Sequence, residues 1–170
     1  MDIHELIGFR YSVRQYQNRP VEADKLNKLL EAARLAPSGA NRQPWRFVVV
    51  RDVQIRGRLV DACNGQQFIA TAPVVIAGCG LMPDRLMRCG IPGDPVDLAI
   101  AMEHLALAAT AEGLGSCWIG AFDQDKVRGV LGIPADVAVI ELMTIGYAAD
   151  TRRPKSRKPL EEIVCWDSWS

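Results

Sequence analysis

The chain has 170 residues, 49% of them hydrophobic and 24% charged, with 20 Lys and Arg set against 20 Asp and Glu for a formal net charge of zero. That is the length and mix of one ordinary globular domain, large enough for a core without metal or disulfide staples, and it excludes wholesale disorder and a fibrous fold. Balanced charge gives no global argument for a protein that coats nucleic acid or a membrane surface. No uninterrupted apolar run reaches the roughly eighteen residues of a spanning helix. The opening MDIHELIGFR has neither the basic-then-apolar layout of a signal peptide nor the Arg-rich look of a transit peptide, so the expected compartment is the cytosol.

In chain order, an amphipathic start holds His4 beside Ile3, Leu6 and Ile7. A helix is predicted from Asp24 to Ala36, because Leu26, Leu29, Leu30 and Ala33 recur at helical spacing and Pro37 stops the run. Arg46 to Arg51 (RFVVVR) reads as a strand, and Val53 to Cys63 as a helix with Ile55, Leu59 and Ala62 inward. Pro73 to Cys79 (PVVIAGC) is apolar throughout, as in a strand buried on both faces. The longest element is predicted to start with Asp94 as cap and Pro95 as first helical residue, and to run to Gly113 or Gly115. It is apolar nearly all round, which implies burial on most sides, some of it against a second protomer. Asp123 should cap a short helix with Val127, Val130 and Leu131 inward and Gly132 at its end. Val137 to Tyr147 is a strand, and from Asp150 the chain reads as an extended tail with a short PLEEIV element. There is no repeat and no linker. Helices and strands interleave without the regular alternation of a doubly wound sheet, and no GxGxxG is present, so the expected fold is a mixed sheet with helices on both faces.

The five cysteines, Cys63, Cys79, Cys89, Cys117 and Cys165, contain no CxxC pair and read as reduced thiols rather than zinc ligands. Neither His4 nor His104 sits in a Ser–His–Asp or HExxH arrangement, so hydrolytic chemistry has little support. Four stretches carry chemistry. In FRYSVRQY, Arg10, Ser12 and Arg14 alternate and in an extended segment share one side; two guanidinium forks and a hydroxyl suit a phosphate, and an exposed loop of solvated arginines has the same spacing. RRPKSRKP places Arg152, Arg153, Lys155, Arg157 and Lys158 within seven residues. A solvated tail, a nucleic-acid patch and a small-anion site all fit, but Glu161 and Glu162 and the lack of interleaved aromatics disfavour nucleic acid. In APSGANRQPWRF, Pro37, Ser38, Gly39 and Asn41 make a turn of small residues that either admits a ligand to the backbone or simply joins a helix to a strand. In GLGSCWIGAFD, Gly120 can bring its N–H close to a flat ring; a buried strand ending in a bend describes the segment equally well.

Taken together and in order, RYSVRQY, LEAARLAPSGANRQPWRFVVV, GLGSCWIGAFD and IGYAADTRRPKSRKPLEEIV resemble the FMN-dependent nitroreductase family, over nearly the whole chain and in a compact form. The resemblance implies a single domain over residues 1–170, with 150–170 as an extended C-terminal tail. It implies an α+β nitroreductase-like fold, with a mixed, mainly antiparallel central sheet flanked by helices on both faces, in an obligate homodimer. Tight, non-covalent FMN would lie at the dimer interface. Arg10, Tyr11, Ser12 and Arg14 would hold its phosphate, ribityl chain and pyrimidine edge, with Lys155 and Arg157 completing the phosphate grip. Pro37, Ser38, Gly39 and Asn41 would approach from the other subunit. Ile119 and Gly120 would line the ring, with the Gly120 amide near flavin N5. Where many members carry a lysine at the pyrimidine edge, within Asn64 to Gln67, this chain has Gln67. Residues 80–95, which in longer members build a lid, are brief here. The implied activity is passage of two electrons from NADH or NADPH through flavin N5 to a nitroaromatic or quinone, with ping-pong kinetics and no side-chain nucleophile. The alternatives are a flavin-binding redox sensor or store without turnover, and an interaction module that uses the basic tail.

Overall fold

The computed structural model describes residues 1–152 and 154–169. Four strands, β1 (Trp45–Val50), β2 (Val74–Gly80), β3 (Gly115–Ile119) and β4 (Ala138–Gly146), form one open sheet in the order β1-β2-β4-β3. All three ladders are antiparallel. The expectation of a mixed sheet is corrected on this point: the parallel pairing among the described residues is one isolated bridge, Ser12 to Ser116. The cause is topological. β2 and β3 run in the same direction, but β4 returns between them and runs against both, so no two neighbouring strands are parallel.

Alternation along the buried strand β2 divides the core. Val74 and Ile76 point to one face, where α2 (Ala23–Arg34) and α5 (Gly93–Ala111) contribute Leu26, Leu29, Leu98, Met102 and Leu105. Val75, Ala77 and Cys79 point to the other, against Leu59, Ile69 and Val127 of α3 (Val53–Ala62), α4 (Phe68–Thr71) and α6 (Gln124–Leu131). Helices therefore cover both faces, and the uniformly apolar PVVIAGC stretch follows from burial on both sides. α4, only four residues long, is too short to leave a periodic signal in the sequence.

Local chemistry accounts for the helix ends. Asp52 Oδ1 accepts from the amides of Gln54 and Ile55, both at 2.9 Å, at the start of α3. Asp52→Ala should cost about 1 kcal/mol, read as a lower midpoint in urea unfolding. Asp123 caps α6 through the Lys126 amide, and Gly132 closes it in the left-handed region at φ 66°. The start of α5 differs from the sequence expectation: the helix begins at Gly93, after Pro92, and Asp94 lies inside its first turn. Pro95 is then the third helical residue, where the missing N–H still costs no intrahelical bond. Asp94 is free to act elsewhere, as shown below.

α1 (Ile3–Phe9) carries a capping box between Asp2 and Glu5 and has no buried residue. Its Ile3, Ile7 and Phe9 are exposed, as are Val96 and Ile100 on α5 and Leu160, Ile163, Trp166 and Trp169 in the tail. The PLEEIV element is a single 3-10 turn, Leu160–Glu162. Cys63, Cys79 and Cys117 are buried free thiols, and burial pushes Cys63 up to about 11. Among the described residues no helix is long and apolar enough to cross a membrane.

Candidate functional site

The two ends of the chain meet beside β3. Leaving α1, residues 11–14 run extended along that strand, with the Val13 amide donating to Ser116 O at 3.0 Å. Val13 is fully buried and Gly115 leaves no room for a Cβ beside it, so Ser12 and Arg14 are turned outward together, as their alternation implies. Tyr16 anchors the stretch, its hydroxyl bonding Val13 O at 3.0 Å and Thr144 Oγ1 at 2.7 Å.

The C-terminal segment returns along the same line. Asp150 takes the Tyr11 hydroxyl at 3.1 Å and the Arg14 amide at 2.9 Å, and the Ala149 amide reaches Gln15 O at 2.8 Å. A cavity of about 690 Å³ opens between the segments, walled by Tyr11, Ser12 and Arg14 on one side and Asp150, Arg152 and Pro154 on the other. Lys155 Nζ caps the carbonyl end of α1 at Ile7 O, 2.8 Å, and Arg152 bonds Gly8 O at 2.7 Å while lying over the Phe9 ring. Burial, then the charges of Arg10, Arg157 and Arg152, hold the Lys155 ammonium below its usual range. Four cations from opposite ends of the sequence are thus within electrostatic reach of one another. Arg153 lies outside the described residues. Asp150→Ala removes both carboxylate contacts, leaving the Tyr11 hydroxyl the Asp150 carbonyl at 3.1 Å, and should cost about 1 kcal/mol, seen as a lower melting temperature.

Arg10 stands apart from its predicted companions. It terminates α1 and turns toward α5, with Nε 3.7 Å from Glu103 Oε1. It shares a 140 Å³ pocket with Ser116, Gly115 and Phe9. Arg10 Nε and Ser116 Oγ are both buried there without a hydrogen-bond partner among the described residues. Unpaired buried polar groups beside a cation cluster suit an oxygen-rich anionic ligand, which would satisfy the first and offset the second. The phosphate and ribityl of FMN have that chemistry, and the residues fit it. Nothing in the sequence pointed to Ser116. Glu141, on β4, is a third orphan: its Oε1 is unpartnered, and burial, followed by the charge of Glu103, pushes its carboxyl up to about 8.

The remaining candidates lie elsewhere. Gly39–Asn41 form a 3-10 turn in which Ala40 and Asn41 take φ near +52° and +53°, followed by Gln43 at +51°. Such left-handed non-glycine backbone is costly and is found where surrounding structure holds it for use. Here the Gln43 amide bonds Ser38 Oγ at 2.9 Å, and the Gly39 amide bonds Asp97 Oδ1 at 3.0 Å. This turn lines a cavity with Arg42, Met82 and Arg88, different from those lined by Arg10, by Ser12 and Arg14, and by Arg152. Ile119 is buried in the second core, so only its backbone is available to a ligand, whereas Gly120 is exposed with open space where a Cβ would stand. Gln67 is exposed at the start of α4; it is Gln66 that reaches toward Gly120, donating to Ala121 O at 3.2 Å.

This arrangement has close counterparts. The family model described as the nitroreductase family matches residues 7–76 and 64–147. An NADH dehydrogenase of Thermus thermophilus is 34% identical over 188 aligned positions, covering 92% of each chain. A crystal structure of a nitroreductase family protein from Clostridium difficile superposes with a TM-score of 0.86 at 36% identity, over 99% of this chain and 100% of that one. An FMN-dependent nitroreductase from another strain of that species gives a TM-score of 0.83 at 28% identity, over 96% and 99%. With the family model spanning both sheet faces and the N-terminal clamp, this chain belongs to the nitroreductase family.

Proposed function

We propose that the protein is an FMN-dependent oxidoreductase that passes two electrons from NADH or NADPH to a nitroaromatic or quinone acceptor with ping-pong kinetics, and that it works as a homodimer. The observation that carries this reading is that Arg10, Lys155 and Arg157 come within electrostatic reach of one another from opposite ends of the chain, that Arg10 Nε and Ser116 Oγ are buried there without a partner among the described residues, and that Ser12 and Arg14 line the neighbouring cavity that Tyr11 shares. FMN, when bound, supplies the two-electron carriage between donor and acceptor. The work of the chain is binding, orientation and exclusion of water. Arg10, Lys155 and Arg157 would grip the phosphate, with Tyr11, Ser12 and Arg14 along the ribityl and pyrimidine side. The open backbone at Gly120, next to Ile119, would let a flat ring approach the sheet edge.

The turn of Pro37, Ser38, Gly39 and Asn41 would serve the site of the other subunit, which accounts for its separation from the clamp within one chain. The exposed apolar faces of α1 and α5 and the tail's Trp166 and Trp169, 82% and 98% exposed, supply surface for such a dimer. Buried free thiols suit a reducing compartment and support a cytosolic location.

The test is anaerobic stopped-flow mixing of the purified protein with each nicotinamide, then with a panel of nitroaromatics and quinones. The expected result is a yellow protein whose colour is bleached by donor and restored by acceptor. A colourless protein that takes up no FMN rejects the reading. A yellow protein that is not bleached is a flavin store.

A further inference from the structure

Between β2 and α5, the stretch from Arg85 to Gly93 folds back on itself as a small hairpin. Leu86 bridges Pro92, the Met87 amide donates to Ile91 O at 2.8 Å, and the Gly93 amide donates to Arg85 O at 2.9 Å. Arg85 fastens it from beneath. Its guanidinium contacts Asp94 Oδ1 at 3.4 Å and bonds Asp97, both on the first turns of α5. Asp94 also accepts the Met82 amide at 2.6 Å, and Asp97 accepts the Gly39 amide. One buried ion cluster therefore ties the hairpin, the helix and the 39–41 turn into a single rigid unit.

Between hairpin and turn lies a pocket of about 470 Å³. Met82, Leu86 and Met87 give it an apolar side, adaptable to flat rings because methionine is flexible and polarizable. Arg42, Arg85 and Arg88 are the charged groups on its wall. Arg85 is neutralised by two carboxylates, whose surplus charge is met by the Met82 and Gly39 amides and the amino end of α5. Arg42 donates only to Gly39 O, and Arg88 has no hydrogen-bond or ion-pair partner among the described residues. Two guanidinium groups with no acidic partner among the described residues thus line an apolar recess beside the strained turn.

We propose that this pocket receives the aromatic electron acceptor and selects acceptors that carry an anionic ring substituent, such as an aryl carboxylate, through Arg42 and Arg88. The proposal rests on the reading above, in which the 37–41 turn flanks the FMN of the other subunit. A monoanion with a flat body fits better than the donor's phosphates. The amino end of α5, the natural phosphate seat, is already occupied by the Asp94 and Asp97 carboxylates in their ties to Arg85, Met82 and Gly39, which leaves Arg42 and Arg88 as the groups open to an anion.

The test is isothermal titration of the oxidised, FMN-loaded protein with para-nitrobenzoate and with neutral para-nitrobenzyl alcohol, in the natural protein and in R42A, R88A and R88K. NADPH and NADH are compared in steady-state turnover of the same proteins. The natural protein should prefer the anion. That preference should fall about tenfold in R42A and in R88A, and be largely kept in R88K. A preference unchanged in both alanine variants overturns the proposal, as does equal affinity of the natural protein for both compounds. A loss confined to the NADPH-over-NADH preference makes the anion the donor's phosphate, and also overturns it. Failure to load FMN at all rejects the underlying reading instead, and is visible from the spectrum before any titration.

Discussion

Replacing Arg10 by alanine should weaken FMN retention by about tenfold to a hundredfold, and Arg157→Ala should act in the same direction. Arg10 Nε is buried with no hydrogen-bond partner among the described residues, and Glu103 is 3.7 Å away, too far for a good hydrogen bond. A ligand phosphate would supply the missing acceptor and offset repulsion among Arg10, Arg152, Lys155 and Arg157, the repulsion that, after burial, lowers Lys155. Among the described residues Arg157 bonds only the neighbouring Ser156 carbonyl, at 2.7 Å, and can turn toward an anion. The measurement is the FMN dissociation constant from fluorescence titration of the apoprotein at two salt concentrations, since a clamp built on charge weakens with ionic strength. Because Arg10 also faces Glu103, thermal melts of the apo forms separate lost binding from lost folding. Unchanged affinity in both variants would remove the phosphate assignment.

Glu141→Gln should stabilise the protein at alkaline pH and do little at acid pH. Glu141 is 7% exposed, and burial with the nearby Glu103 charge raises its carboxyl from the ordinary 4.5 to about 8. Between those values the unfolded chain has released this proton while the native chain keeps it. The native state therefore binds more protons, and stability falls by about 1.4 kcal/mol per pH unit across the interval. Glutamine keeps the shape and the unpaired oxygen but cannot ionise, so E141Q should gain on the natural protein by up to a few kcal/mol as pH rises from about 5 toward 8. Glu103→Gln, which removes the second cause of the shift, should narrow the gap. Urea unfolding at both ends of the range reads the difference; parallel stability curves for the two proteins would show that Glu141 is not held neutral.

The secondary structure was largely legible because its signals are local. Leucine spacing in α2, the two-sided apolar run of β2, and the Asp123 and Gly132 caps of α6 each report a backbone state from a few neighbouring residues. The start of α5 is not legible in the same way, because Asp94 looks like a cap in sequence, yet its carboxylate is drawn to Met82 and Arg85, residues on a different segment. The wholly antiparallel pairing is hidden for a related reason: it depends on which neighbours β4 takes, and no residue in β4 states that.

The site divides along the same line. The alternation of Arg10, Ser12 and Arg14 and the cluster around Lys155 and Arg157 could be read as anion chemistry directly from residue types, since charge and hydroxyl groups are properties of the side chain itself. The orphaned Ser116 hydroxyl, the Asp150 tie between the termini, Gln66 beside Gly120, and the Arg85 cluster that roofs α5 could not. Each exists because folding brings together groups up to 139 residues apart, as in the Tyr11–Asp150 bond, and removes water from between them. Sequence alone determined which chemistries were available; the tertiary structure decided which of those groups were left buried and unpaired, and so where a ligand is wanted.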